Sequence, residues 1–109
     1  MRKQIATNFV ISGRNNNGVF GLKVEDFFPS SKANGTIVIA RVNVGQVCVN
    51  DEISISIPGK ENLYDMVKTI QLDGKPLGLA VKGELIGICL KTTGMKELRR
   101  FNEPADGRK

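Results

Sequence analysis

A chain of 109 residues with 16 Lys plus Arg against 11 Asp plus Glu carries a formal charge of +5 and has the length of one domain. Folding at this size buries roughly two-thirds of the surface the unfolded chain exposes, enough for a core without metal or disulfide. There is no His, which excludes imidazole base chemistry, His-ligated metal sites and Ser/His/Asp or Cys/His triads.

The N-terminus, Met1-Arg2-Lys3-Gln4-Ile5-Ala6, leads into no long apolar stretch, and no run approaches the roughly 20 residues of a membrane span. A cytoplasmic chain without a membrane partner is expected. Going along the sequence, a strand is predicted over 8–12, then a break at Asn15-Asn16-Asn17-Gly18. Leu22 and Val24 alternate with Lys23 and Glu25 up to the breaker Pro29-Ser30-Ser31. Asn34-Gly35 fits a tight turn, and Val38, Ala40, Val42 and Val44 then alternate with Ile39, Arg41 and Asn43. Beyond Asn50-Asp51, Ile53, Ile55 and Ile57 alternate with Ser54 and Ser56 until Pro58-Gly59. A strand over 65–72 ends at a second tight-turn pair, Asp73-Gly74. After Gly83, Ile86, Ile88 and Leu90 alternate with Gly87 and Cys89. Helical spacing is confined to 95–101, where Leu98 and Phe101 touch the body, and 102–109 is read as frayed.

Many short strands with almost no helix predict an all-β fold, a single closed or nearly closed antiparallel β-barrel of about six to seven strands, because closure removes exposed edges. The whole chain, 1–109, is read as one domain: an N-terminal extension over 1–18 with one candidate strand, a barrel core over 19–93, and a short helical turn with a basic tail over 94–109.

Three blocks carry a family likeness. Phe20-Gly21-Leu22-Lys23-Val24-Glu25-Asp26-Phe27-Phe28 is an aromatic followed by alternating apolar residues ending in Glu-Asp-x-Phe. Gly35 to Ile53 is similar, without a gap, to the pattern Gly-Thr-Val-Val-x-Gly-Arg-Val-x-x-Gly-x-Ile-x-Val-Gly-Asp-x-Val. Ala80 to Lys91 is similar to Ala-x-Ala-Gly-Asp-x-Val-Gly-Leu-x-Leu-Arg. The run from Phe20 to Arg100 thus resembles the β-barrel second domain of translational GTPases, the elongation factor Tu family. The resemblance implies a barrel that contacts tRNA or ribosomal RNA, as a free-standing domain without the GTPase domain, since G-x-x-x-x-G-K-[ST] is absent and no GTP binding is expected. It also implies that Gly45 sits at a hairpin turn, that Asn50 takes a left-handed position, and that Asp51-Glu52 closes a turn. Where tRNA-carrying members place an acidic then a basic residue, this chain has Asn43 and Val44. The family's closing strand is not recognisable after Arg100, and Phe9-Val10-Ile11 is expected to fill its place.

The positive charge lies in the ends. Residues 1–18 carry three bases and no acid, 91–109 six bases against three acids, and 19–90 seven bases against eight acids. Candidate nucleic-acid contacts are therefore Arg2, Lys3, Arg14, Lys96, Arg99 and Arg100, with Arg41 and Lys82 next. Most of the aromatics fall in strand patterns and are assigned to the core rather than to stacking platforms. Cys48 and Cys89 are read as free structural thiols, and with no catalytic constellation the chain is read as a non-catalytic binding module that needs no cofactor and no metal. The partner is RNA or a translation component. The alternative is a protein partner or a second copy, docked on an outer apolar face formed by Ile37, Ile39, Leu85 and Cys89. In that case the extension, through Ile5 and Phe9 to Ile11, is expected to cover the face.

Overall fold

The apolar alternation is realised as strands in a computed structural model of the chain, which describes residues 9–30, 35–57, 59–94 and Leu98. In chain order these are β1 (Val10–Asn15), β2 (Gly18–Ser30), β3 (Gly35–Val44), β4 (Gln46–Cys48), β5 (Glu52–Ser56), β6 (Leu63–Leu72), β7 (Lys75–Leu77), β8 (Leu79–Val81) and β9 (Leu85–Leu90). Antiparallel pairing runs β5-β1-β2-β3-β9-β6, and β6 pairs back onto β5, so six strands close into a barrel. The strand β7 extends the sheet beyond β6, while β4 and β8 form a separate two-stranded ribbon.

Residues that share a rung share a face, and the inward rungs are apolar throughout. Phe27, Val38, Ile88 and Ile70 are successive partners across β2, β3, β9 and β6; Leu22, Ile11, Ile55 and Leu63 are successive partners across β2, β1, β5 and β6. All but Leu63 are buried, and Leu63 packs against the same cluster. Phe9 stacks on Phe27 with ring centroids 5.6 Å apart. Of the segment expected to be helical, only Leu98 is described: it is buried in the core, and its N–H donates to the Gly94 carbonyl, one helical turn back.

The turn chemistry follows the residue types. Asp73 (φ 53°) and Gly74 (φ 80°) both take the left-handed conformation between β6 and β7, and Asn50 (φ 77°) does so before β5. The connection at Asn34-Gly35 differs from a two-residue turn, because Gly35 already pairs with Ser30 and the link runs through 31–34, outside the described residues. Gly45 is not at a hairpin apex either. It lies where the chain leaves β3 for β4, with φ 70°, and a Cβ there would come within 2.2 Å of the Val19 carbonyl oxygen. That close approach of two backbones is what requires glycine.

Two expectations for the N-terminal segment meet at this strand. As expected, β1 occupies a sheet position, between β2 and β5, and completes the barrel. The expectation that Phe9 and Ile11 cover the outer face is overturned, because both point into the core. Ile5 lies outside the described residues.

A polar tie holds the chain after β9. Asp65, on β6, accepts hydrogen bonds from the backbone N–H groups of Met66 (2.7 Å), Thr92 (3.0 Å) and Thr93 (2.6 Å). Burial pushes the Asp65 carboxyl up, but the Thr93 side chain and the N–H groups of Met66, Thr93 and Thr92 outweigh it, leaving the carboxyl below its usual range. A depressed folded-state pKa contributes stability that is complete above the unfolded value, 3.8, and is lost as pH falls through the folded one. Asp65→Asn is expected to cost about 1 kcal/mol at neutral pH, after allowance for solvent screening. The difference between the two proteins is expected to shrink in denaturant titrations below pH about 4. A constant difference down to strong acid would mean that the carboxylate charge contributes nothing.

Candidate nucleic-acid interface

Of the basic residues singled out in the sequence, Arg2, Lys3, Lys96, Arg99 and Arg100 lie outside the described residues. Arg14 is exposed on β1, opposite Val19. Arg41 stands on the outer face of β3, with Lys23 of β2 as its direct partner on one side and Leu85 of β9 on the other. Its Nη1 donates to the Gly83 carbonyl at 3.0 Å, and its Nε is 3.7 Å from the Glu25 carboxylate. Lys82, next to Gly83, is exposed in the turn between β8 and β9. Asn43 and Val44 are exposed near the end of β3. Nothing in the sequence distinguishes Lys23. Its alternation with Leu22 and Val24 says that it points outward, but only the strand register places it opposite Arg41.

The apolar residues expected to meet a partner do share one face. Ile37 pairs with Cys89, Ile39 with Gly87, and Arg41 with Leu85, all on the side of the sheet away from the core. Their exposure is unequal, however: Ile37 and Cys89 are 4% and 1% exposed, Ile39 is half-buried, and Leu85 is 38% exposed. Phe28, paired with Ile37 on the β2 side, is 42% exposed and joins this face, which the sequence pattern does not foresee. With Ile37, Ile39, Leu85 and Gln71 it lines a groove of about 320 Å³. The cause is a β-bulge. Pairing of β2 with β3 shifts by one residue between Val24 and Asp26, which turns Phe27 inward and Phe28 outward against the alternation set by Leu22 and Val24.

The acidic pair Asp51-Glu52 is expected to close a turn, and the geometry is that of a turn closure. Asp51 Oδ2 accepts from the Cys48 N–H (2.8 Å) and from Asn15 Nδ2 (2.7 Å), and Asn15 Nδ2 also donates to the Gln46 carbonyl (2.9 Å). Neither cysteine is in a disulfide. Burial, and after it the Asp51 carboxylate, pushes the Cys48 thiol up, away from the thiolate a nucleophile needs. Among the described residues no group of three or more Cys, Asp or Glu is placed to hold a metal ion, and no helix is long and apolar enough to cross a membrane.

No family model matches the chain. Among curated proteins it is similar to the apicoplast elongation factor Tu of Plasmodium falciparum (isolate 3D7), with 31% identity over 99 residues, 89% of this chain and 24% of that protein. The chain therefore spans about a quarter of the relative's length. The likeness extends over nearly all of a closed six-stranded barrel. The barrel resembles the second domain of elongation factor Tu. In this elongation factor Tu-like barrel, the second sequence block, Gly35 to Ile53, runs from β3 through β4 into β5, and the third, Ala80 to Lys91, spans β8 and β9. These two blocks supply Arg41 on β3 and the Lys82-Gly83 turn that its guanidinium reaches.

Proposed function

We propose that this chain is a non-catalytic binding module that contacts RNA in the cytoplasmic translation machinery, using no cofactor and no bound nucleotide. The observation that carries the reading is the similarity to elongation factor Tu over 89% of the chain. The charge pattern supports it: residues 1–18 and 91–109 each carry a net +3 against −1 for 19–90, and lysine and arginine neutralise phosphates and release counterions. The proposed contacts are Arg2, Lys3, Arg14, Arg41, Lys96, Arg99 and Arg100.

The test is the salt dependence of RNA affinity. Changing Lys96, Arg99 and Arg100 together to Gln is expected to weaken binding and to lower the slope of log affinity against log salt by about 0.7 to 0.9 for each phosphate no longer neutralised. An unchanged slope would remove these three residues from the interface. The other reading, docking of a protein partner or second copy on the outer apolar face, has less support, because burial withdraws two of its four residues, Ile37 and Cys89.

A further inference from the structure

We propose that Lys23, Arg41 and Lys82 form a single phosphate-binding face at one end of β2, β3 and β9. This rests on the RNA reading above and places part of the contact on the barrel wall, where residue counting finds no surplus charge.

Lys23 and Arg41 oppose each other across β2 and β3. They are direct cross-strand partners on an exposed face, and like charges so placed destabilise a sheet. A residue pair chosen for stability alone would have opposite signs. Glu25 lies 3.7 Å from Arg41, but both side chains are 45% exposed, so water screens the pair.

Arg41 is also held in place. Its Nη1 donates to the Gly83 carbonyl, which fixes the guanidinium beside the turn that carries Lys82. A planar fork held by one bond to the backbone keeps its other N–H donors for an anion. Neighbouring strands lie about 4.8 Å apart, so the long side chains of Lys23 and Arg41 can reach one phosphate group from either side. Lys82, exposed in the adjoining turn, is placed for the next phosphate along a strand. Glu84 is the nearest further carboxylate in sequence, and its Oε1 is turned onto the Val81 N–H at 2.9 Å. Leu85, Arg41's partner on β9, is partly exposed and gives a sugar or base edge an apolar seat beside the charges. Residues 19–90 hold seven bases against eight acids, and this near-neutral count hides two bases paired by the register and a third, Lys82, in the turn that Arg41 reaches.

The experiment measures binding of a fluorescein-labelled single-stranded RNA of mixed sequence by anisotropy across a salt series. The proteins compared are the full chain, the variant Lys23→Gln/Arg41→Gln/Lys82→Gln, and a control, Lys68→Gln/Lys75→Gln, which removes two exposed lysines elsewhere. With two phosphates of single-stranded RNA released from the protein, the log–log slope is expected to fall by about 1.4, with binding about tenfold weaker near 0.2 M salt. The control is expected to keep the parent slope to within about half the increment of one phosphate. Lys23→Gln alone is expected to keep or raise the melting temperature while weakening RNA binding, a combination that a merely structural role for Lys23 does not produce. Equal slopes for the parent chain and the triple variant, with the parent binding RNA, would overturn the face and leave the RNA reading in place. A parent chain that binds no RNA at any salt would overturn both.

Discussion

Ile55→Asp is expected to unfold the barrel, and Ser54→Asp, one residue away, to leave it folded. Ile55 is 1% exposed and pairs with Ile11 on one side and Leu63 on the other, in the middle of an apolar rung. The substitution removes buried apolar surface and puts a carboxylate without a cation where it cannot be solvated. Together these cost about 4–5 kcal/mol or more, against a total stability of about 5–15 kcal/mol for a domain of this size. Ser54 faces the other way, where its hydroxyl lies 3.2 Å from that of Ser12 on the barrel exterior. Removing that hydrogen bond costs about 1 kcal/mol. Thermal melts followed by circular dichroism separate the two, and similar midpoints would mean that the inner and outer faces of β5 are reversed.

Deleting residues 1–15 is expected to abolish cooperative unfolding. With β1 removed, β2 and β5 become two open edges, Phe9 and Ile11 leave the core, and Asn15 no longer ties the Gln46 carbonyl to Asp51. A milder version, Ile11→Ala, is expected to cost about 3 kcal/mol by burial and cavity effects alone. If the N-terminal segment were only a cover for an outer surface, the shortened chain would keep a sharp transition and merely bind hydrophobic dyes. A sharp transition at the parent midpoint would contradict the placement of β1 in the wall.

The parts legible in the sequence are those where one residue type has one physical use. The Ile53, Ile55 alternation with serine, the Val38, Ala40, Val42 series and the Ile86, Ile88, Leu90 series each define an inner face that the barrel realises. Asn50, Asp73 and Gly74 announce left-handed positions and occupy them. What stays hidden depends on register. A bulge after Val24 reverses the parity of β2, so Phe27 and Phe28 exchange roles without any change in composition to mark it. The strands β7 and β8 are three residues each, with Pro76 and Gly78 interrupting the pattern, too short for a period to register. Gly45 looks like a turn residue, and only the approach of the Val19 carbonyl shows that it serves a crossing of two backbones.

The candidate site divides in the same way. Arg41 is legible through its place in an Arg-Val pair, because the family resemblance supplies the pattern; its partner Lys23 is not, since cross-strand neighbours are distant in sequence. Parity alone assembles the outer face of Ile37, Ile39, Leu85 and Cys89, yet parity says nothing about burial, and two of the four are closed to solvent.

The most direct test of the RNA reading is to isolate the full chain from its own cell extract at low salt and compare its nucleic-acid and protein absorbance before and after nuclease treatment. A nucleic-acid contribution is expected that ribonuclease removes, deoxyribonuclease spares and high salt strips away. A preparation with the absorbance of protein alone, unchanged by ribonuclease, would contradict it.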